Sequence, residues 1–105
     1  MIGRIWYGWT SPENADAYEA LLKTQIIPGI AARKIPGFRR IELMRSPRGD
    51  EVEFATMMWF DSLDAVQQFA GPQYDVAVVP PAARAVLKRF DATAKHYEIK
   101  DVREP

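Results

Sequence analysis

Apolar positions along the chain change their period several times, and each change marks an element. Residues 2 to 10, Ile-Gly-Arg-Ile-Trp-Tyr-Gly-Trp-Thr, carry the β-branched and aromatic types that suit a pleated surface, and they predict a first strand. Ser11-Pro12-Glu13-Asn14 then supplies a hydroxyl cap, a proline for the first helical position and an acid near the positive end of the helix dipole. Ala15, Tyr18, Leu22 and Ile26, with Leu21 beside them, recur at helical spacing and predict one buried stripe. Pro28 has no amide to donate, so Pro28-Gly29 is expected to kink or end this helix and leave residues 30 to 33 as an irregular turn.

Alternation from Phe38 to Arg45, a Pro47-Arg48-Gly49-Asp50 turn and the run from Glu51 to Phe60 predict an antiparallel hairpin. Asp61 or Ser62 caps a second helix with Leu63, Val66 and Phe69 on its inner side, and Gly71-Pro72 stops it. Pro80-Pro81 opens a short third helix carrying Ala82, Val86, Leu87 and Phe90, and Thr93 to Val102 alternates as a last strand. The order predicts an α+β fold of the ferredoxin-like βαββαβ kind, a four-stranded antiparallel sheet with helices on one face.

Strand parity divides the side chains into two sets. Ile5, Tyr7, Trp9, Ile41, Leu43, Ala55, Met57, Trp59, Tyr97 and Ile99 form an uncharged set, which is assigned to the face beneath the helices. The other set mixes Arg4, Arg40, Glu42, His96 and Glu98 with Trp6, Met44, Phe54, Met58 and Phe60. Its apolar content is too large to leave in water, so this face is assigned to a homodimer contact, with Arg4, Trp6, Arg40, Met58, His96 and Glu98 across it.

Composition narrows the possible chemistry. The 105 residues suit one domain spanning positions 1–105. Lysine and arginine number 14, as do aspartate and glutamate, so no basic field favours nucleic acid or an anionic membrane. Without cysteine there is no thiolate nucleophile or thiolate metal site, and a single histidine makes a transition-metal centre improbable. The first residues lack the pattern of a signal peptide and no apolar run is long enough for a membrane span, so a soluble cytoplasmic protein is expected. No glycine-rich phosphate loop, nucleophile elbow or dinucleotide fingerprint is present.

Four stretches together resemble the antibiotic biosynthesis monooxygenase (ABM) type of domain within the dimeric α/β-barrel superfamily. They are Thr10-Ser11-Pro12-Glu13, Ile35-Pro36-Gly37-Phe38, Met58-Trp59-Phe60-Asp61-Ser62-Leu63-Asp64-Ala65 and His96-Tyr97-Glu98-Ile99. The resemblance implies a ferredoxin-like protomer, a homodimer packed sheet to sheet, and a pocket between helices and sheet. It implies oxidation of aromatic or quinol-like metabolites without metal or flavin, so no cofactor is expected. Isomerases, lactone-cleaving enzymes and non-catalytic ligand-binding or stress-related domains are the alternatives, because fold alone does not choose a reaction. Haem degradation is disfavoured, since the first strand lacks asparagine and residues 67 to 89 lack histidine.

Trp59 matches the tryptophan that lines the family pocket at the end of the third strand, although an indole there equally suits plain core. Tyr7 and Trp9 share its parity and are the next expected lining. Tyr74, in the loop after the second helix, is a pocket-mouth candidate by location. Tyr74 or Arg84 could donate to a substrate anion, and His96 is read as an interfacial hydrogen-bonding group more readily than as a base. No catalytic residue is assigned.

Overall fold

The spine of the sheet is β1 (Ile2–Thr10) in the computed structural model, which describes residues 1–105. Along its whole length β1 pairs with β3 (Glu51–Phe60), and β3 pairs outward with β2 (Phe38–Arg48), all antiparallel. The other edge of β1 is met by two short strands in succession, β4 (Arg89–Phe90) and β5 (Lys95–Glu98). The ferredoxin-like order β2-β3-β1 is thus completed by a fourth strand broken in two, giving five strands in all. The third helix shrinks to one turn, α4 (Pro81–Arg84), because the chain beyond it is drawn onto β1. There Lys88 N donates to Trp9 O at 2.8 Å and Asp91 N to Tyr7 O at 3.0 Å.

Ser11 caps as expected, its Oγ accepting from Asn14 N at 3.3 Å. What it opens is a 3-10 turn, Pro12–Asn14, followed by α1 (Ala15–Leu21). Pro28 does not end the helix, which continues through α2 (Ile27–Ala32). Ahead of the proline the backbone widens into a π-helical stretch, Leu22–Ile26, where Ile27 N donates to Leu22 O. A widened turn accommodates the missing amide without breaking the rod, and such bulges recur at functional sites. Ser62 then caps α3 (Leu63–Ala70), accepting from Ala65 N, and Gly71 closes it at φ 90°. Gly37, at φ 84°, lets β2 begin close to that helix, since a Cβ there would sit 2.9 Å from Ala65 Cβ.

The helices cover the opposite face from the one expected. Phe54, Met58 and Phe60 are buried beneath them together with Val52, and one cluster adds Ala15, Tyr18 and Leu22 while the other adds Ala65, Val66 and Phe69. A bulge between Phe38 and Arg40 shifts the β2 register, setting Ile41 opposite Met58 and Leu43 opposite Thr56, so both join the covered side. Arg4 and Met58 are therefore buried under helices, Trp6 and His96 are half-buried on the same side, and Glu98 is exposed at the β5 edge. Of the six residues expected at a sheet-face contact, only Arg40 lies on the open face, beside Trp59. Parity separates the faces but does not say which is covered.

Candidate functional site

Between the first helical rod and the sheet lies a cavity of about 60 Å³. Leu22 and Ile26 of the π-helical stretch roof it, Ile41 and Met58 floor it, and Val79 and Pro80 close one side. A single water needs roughly 10–15 Å³ of such space, so the cavity holds a few waters. Ligand pockets usually measure roughly 300–1,000 Å³, and this one is partly open to solvent, so an aromatic ligand is held here with part of its ring system at the opening or with a wall displaced.

Three polar side chains face this apolar space, from Arg4, Tyr18 and Thr56. Arg4 is 4% exposed and has no carboxylate within salt-bridge distance. Its Nη1 donates to the Tyr74 carbonyl and, at 2.9 Å, to His96 Nε2, while Nη2 donates to Val76 O at 3.3 Å. The Nε–H and the second Nη2–H make no bond within the protein. Burial lowers the Arg4 pKa to about 10, with Asp75 pulling the other way, so the group remains a cation at neutral pH. The guanidinium also lies 5.4 Å from the Phe69 ring centroid.

His96 is fixed by this contact. A guanidinium only donates, so Nε2 accepts, and the ring is neutral with its proton on Nδ1. Burial, then the Arg4 charge, hold the His96 pKa below its ordinary value, against the opposing pull of Asp75. Tyr74 meets the imidazole edge to face at a centroid distance of 5.1 Å. Tyr18, from α1, is 1% exposed and packs edge-on to Phe54 at 4.8 Å. Burial raises its pKa to about 12, which keeps the phenol a proton donor.

Of the expected lining residues, only Tyr74 belongs to this neighbourhood, and it contributes mainly through its carbonyl. Trp59, Tyr7 and Trp9 lie across the sheet from the cavity. Trp59 Nε1 donates to Glu42 Oε1 at 2.9 Å, with Arg40 5.2 Å above the ring, beside an open surface groove shared with Met1 and Val102. Tyr7 and Trp9 stack at 6.3 Å, and Arg89 lies 3.9 Å over the Trp9 ring. The assignment of faces misplaced these three together. Arg84 turns to Val79 O and the Phe90 ring. Arg4 and Tyr18 line the cavity and were not among the expected lining residues. The readable signal for Arg4 was a lone cation in the strand position matching Phe54, Met58 and Phe60.

Comparison with solved structures defines the architecture. A candidate antibiotic biosynthesis monooxygenase from Bacillus cereus superposes with a TM-score of 0.60 over 99% of this chain and 94% of its own, at 15% identity. Rv0793 from Mycobacterium tuberculosis gives 0.59 over 98% of both chains at 21% identity. A further candidate antibiotic biosynthesis monooxygenase, from Chloroflexus aurantiacus, gives 0.51 over 99% of this chain and 95% of its own, at 19% identity. The fold is of the ABM type. At these identities the likeness is one of fold, and no protein-family model and no curated protein sequence matches the chain. In this ABM-type fold the helix-covered cavity and the open sheet face are the two surfaces left to explain.

Proposed function

We propose that the helix-covered cavity binds a small aromatic anion and that its chemistry is cofactor-independent oxygenation of a phenolate or quinol-type substrate. One observation carries the reading: Arg4 is a buried cation held by carbonyls and a neutral imidazole, with unengaged N–H donors at an apolar cavity. Burying an ion whose nearby counter-charge, Asp75, lies beyond salt-bridge distance is costly, and an incoming anion offsets part of that cost. The same charge stabilises an electron-rich ring anion while apolar walls exclude water. Oxidation of an activated ring CH2 to C=O by one O2 places one oxygen atom in the carbonyl and the other in water, so no external reductant is required.

Isomerisation and lactone cleavage need a base that also returns the proton to another substrate atom, whereas oxygenation needs only that the substrate bind as its anion. The ionisable groups on the cavity wall are Arg4 and Tyr18, and the His96 lone pair is already engaged by Arg4. The open face, with Ile5, Tyr7, Met57 and Trp59 only partly covered in the protomer, is assigned to a homodimer contact. A cytoplasmic setting fits a chain without cysteine, and no helix is long and apolar enough to cross a membrane.

The test is oxygen uptake by metal-free protein over a panel of hydroquinones and anthrone-type phenols, with Arg4→Met and a protein-free control. Wild-type uptake should exceed the control, and Arg4→Met should lower it by about two orders of magnitude, as loss of an anion-stabilising donor does. Uptake equal in the two proteins removes Arg4 from the chemistry. Ligand quenching of Trp6, which lines the cavity, without oxygen uptake assigns binding alone.

A further inference from the structure

Arg4 accounts for one end of a ligand, and the cavity has a second polar point that the proposed function leaves unused. The Tyr18 hydroxyl makes no hydrogen bond within the protein, and burial is the sole cause of its pKa shift. A phenol in so sheltered a position normally has a partner, because an unsatisfied buried donor costs about 1–3 kcal/mol. Thr10 carries the fully enclosed hydroxyl without a partner, but it is not part of the cavity wall; the Tyr18 oxygen is likewise unpaired within the protein but is not fully enclosed. Tyr18 is on that wall, with its ring fixed against Phe54, and it approaches from α1 while Arg4 approaches from β1.

We propose that Tyr18 is a specificity-determining residue: with Arg4 holding the ligand's anionic oxygen, the Tyr18 hydroxyl donates to a second oxygen on the same ring system. The preferred ligand is then an oxygen-disubstituted aromatic anion. This inference rests on the assignment of the cavity as an aromatic-anion site and adds to it the number and placement of polar groups on the ligand. No covalent step is involved, because Tyr18 acts as a protonated donor throughout. A neutral hydrogen bond made on binding strengthens association by about 0.5–1.5 kcal/mol, which is roughly twofold to tenfold in Kd.

The probes are 2-naphthoate, which carries the anionic group alone, and its hydroxy positional isomers. Their affinities are measured by calorimetry against wild type, Tyr18→Phe and Arg4→Met. At least one isomer is expected to bind wild type several-fold more tightly than 2-naphthoate. Tyr18→Phe should erase that advantage while leaving the affinity for 2-naphthoate unchanged. An advantage that persists in Tyr18→Phe, or no advantage for any isomer in wild type, overturns the inference and leaves the anion site intact. Absence of binding by every naphthoate, or binding indifferent to Arg4→Met, overturns both. Thermal stability supplies a separate readout. Removing an unpartnered hydroxyl should leave the melting temperature of Tyr18→Phe unchanged or slightly raised, whereas a clear drop would mean that the hydroxyl serves the fold and would also overturn the assignment.

Discussion

The two faces of this sheet use the same residue types in different ways. On the open face Arg40 and Arg89 lie over tryptophan rings and each also meets a carboxylate, Glu42 at 3.2 Å and Glu51 at 2.9 Å. Such solvated pairs contribute about 0–1 kcal/mol and leave little residual field. On the covered face Arg4 lies over Phe69 but meets only carbonyls and a neutral imidazole. The open face has discharged its electrostatics within the chain; the covered face retains a charge able to attract a ligand. A cation becomes informative through what surrounds it rather than through its presence.

Adjacent methionines offer the severest test of this division. Met58 is 5% exposed beneath the helices, whereas Met57 points to the open face and its Cε approaches Gly3. Met58→Asp places an uncompensated carboxylate in the core at a cost of several kcal/mol; the far-ultraviolet circular dichroism and cooperative melt should be lost. Met57→Asp should keep the spectrum and the melt while sedimentation shifts toward a monomer. An unfolded Met57 variant, or a folded Met58 variant, would break the comparison between faces.

A milder contrast uses the next pair. Phe60 is 0% exposed between Phe38 and Phe69, so Phe60→Ala should destabilise by about 3–5 kcal/mol. Trp59 is only half-buried in the protomer, and Trp59→Ala should cost on the order of 1 kcal/mol at concentrations low enough to separate any dimer. Urea unfolding gives both values. Equal losses would mean that Trp59 is covered to the same extent as Phe60.

How legible this was in the sequence depended on the range of the information. Strand β1, the hairpin and the Ser62 cap were readable because periodicity and capping are local. The π-helical stretch was not, since Pro28 announces only that a hydrogen bond is lost, while packing of Leu22 and Ile26 over the cavity determines how the chain recovers. Parity separated the faces of β1 and β3 correctly, but the β2 bulge exchanged Ile41 and Leu43 between sets. The choice of covered face then turned on treating Arg4 and His96 as solvent-seeking. Their mutual hydrogen bond spans most of the chain, and no local pattern predicts it. With that error Trp59, Tyr7 and Trp9 were placed at the pocket, and Arg4 and Tyr18 were passed over.

The smallest expected effect concerns the imidazole that holds Arg4. The folded protein keeps His96 neutral with its pKa depressed, because protonation would set a second cation against Arg4 and remove the Nε2 acceptor. The unfolded chain titrates near the ordinary value of about 6.5. Above that value both states hold the ring neutral, and the stabilisation from this contact is fully present. As pH falls below about 6.5, the unfolded chain takes up a proton that the folded one resists, so stability declines through the folded pKa. His96→Gln keeps an acceptor for Arg4 but does not titrate. Between pH 7.5 and pH 5.5 the melting temperature of wild type should therefore fall further than that of His96→Gln, with the difference absent at the higher pH. Parallel curves would mean that the ring is free to leave Arg4 when protonated, and the covered face would then tolerate charge more readily than its burial implies.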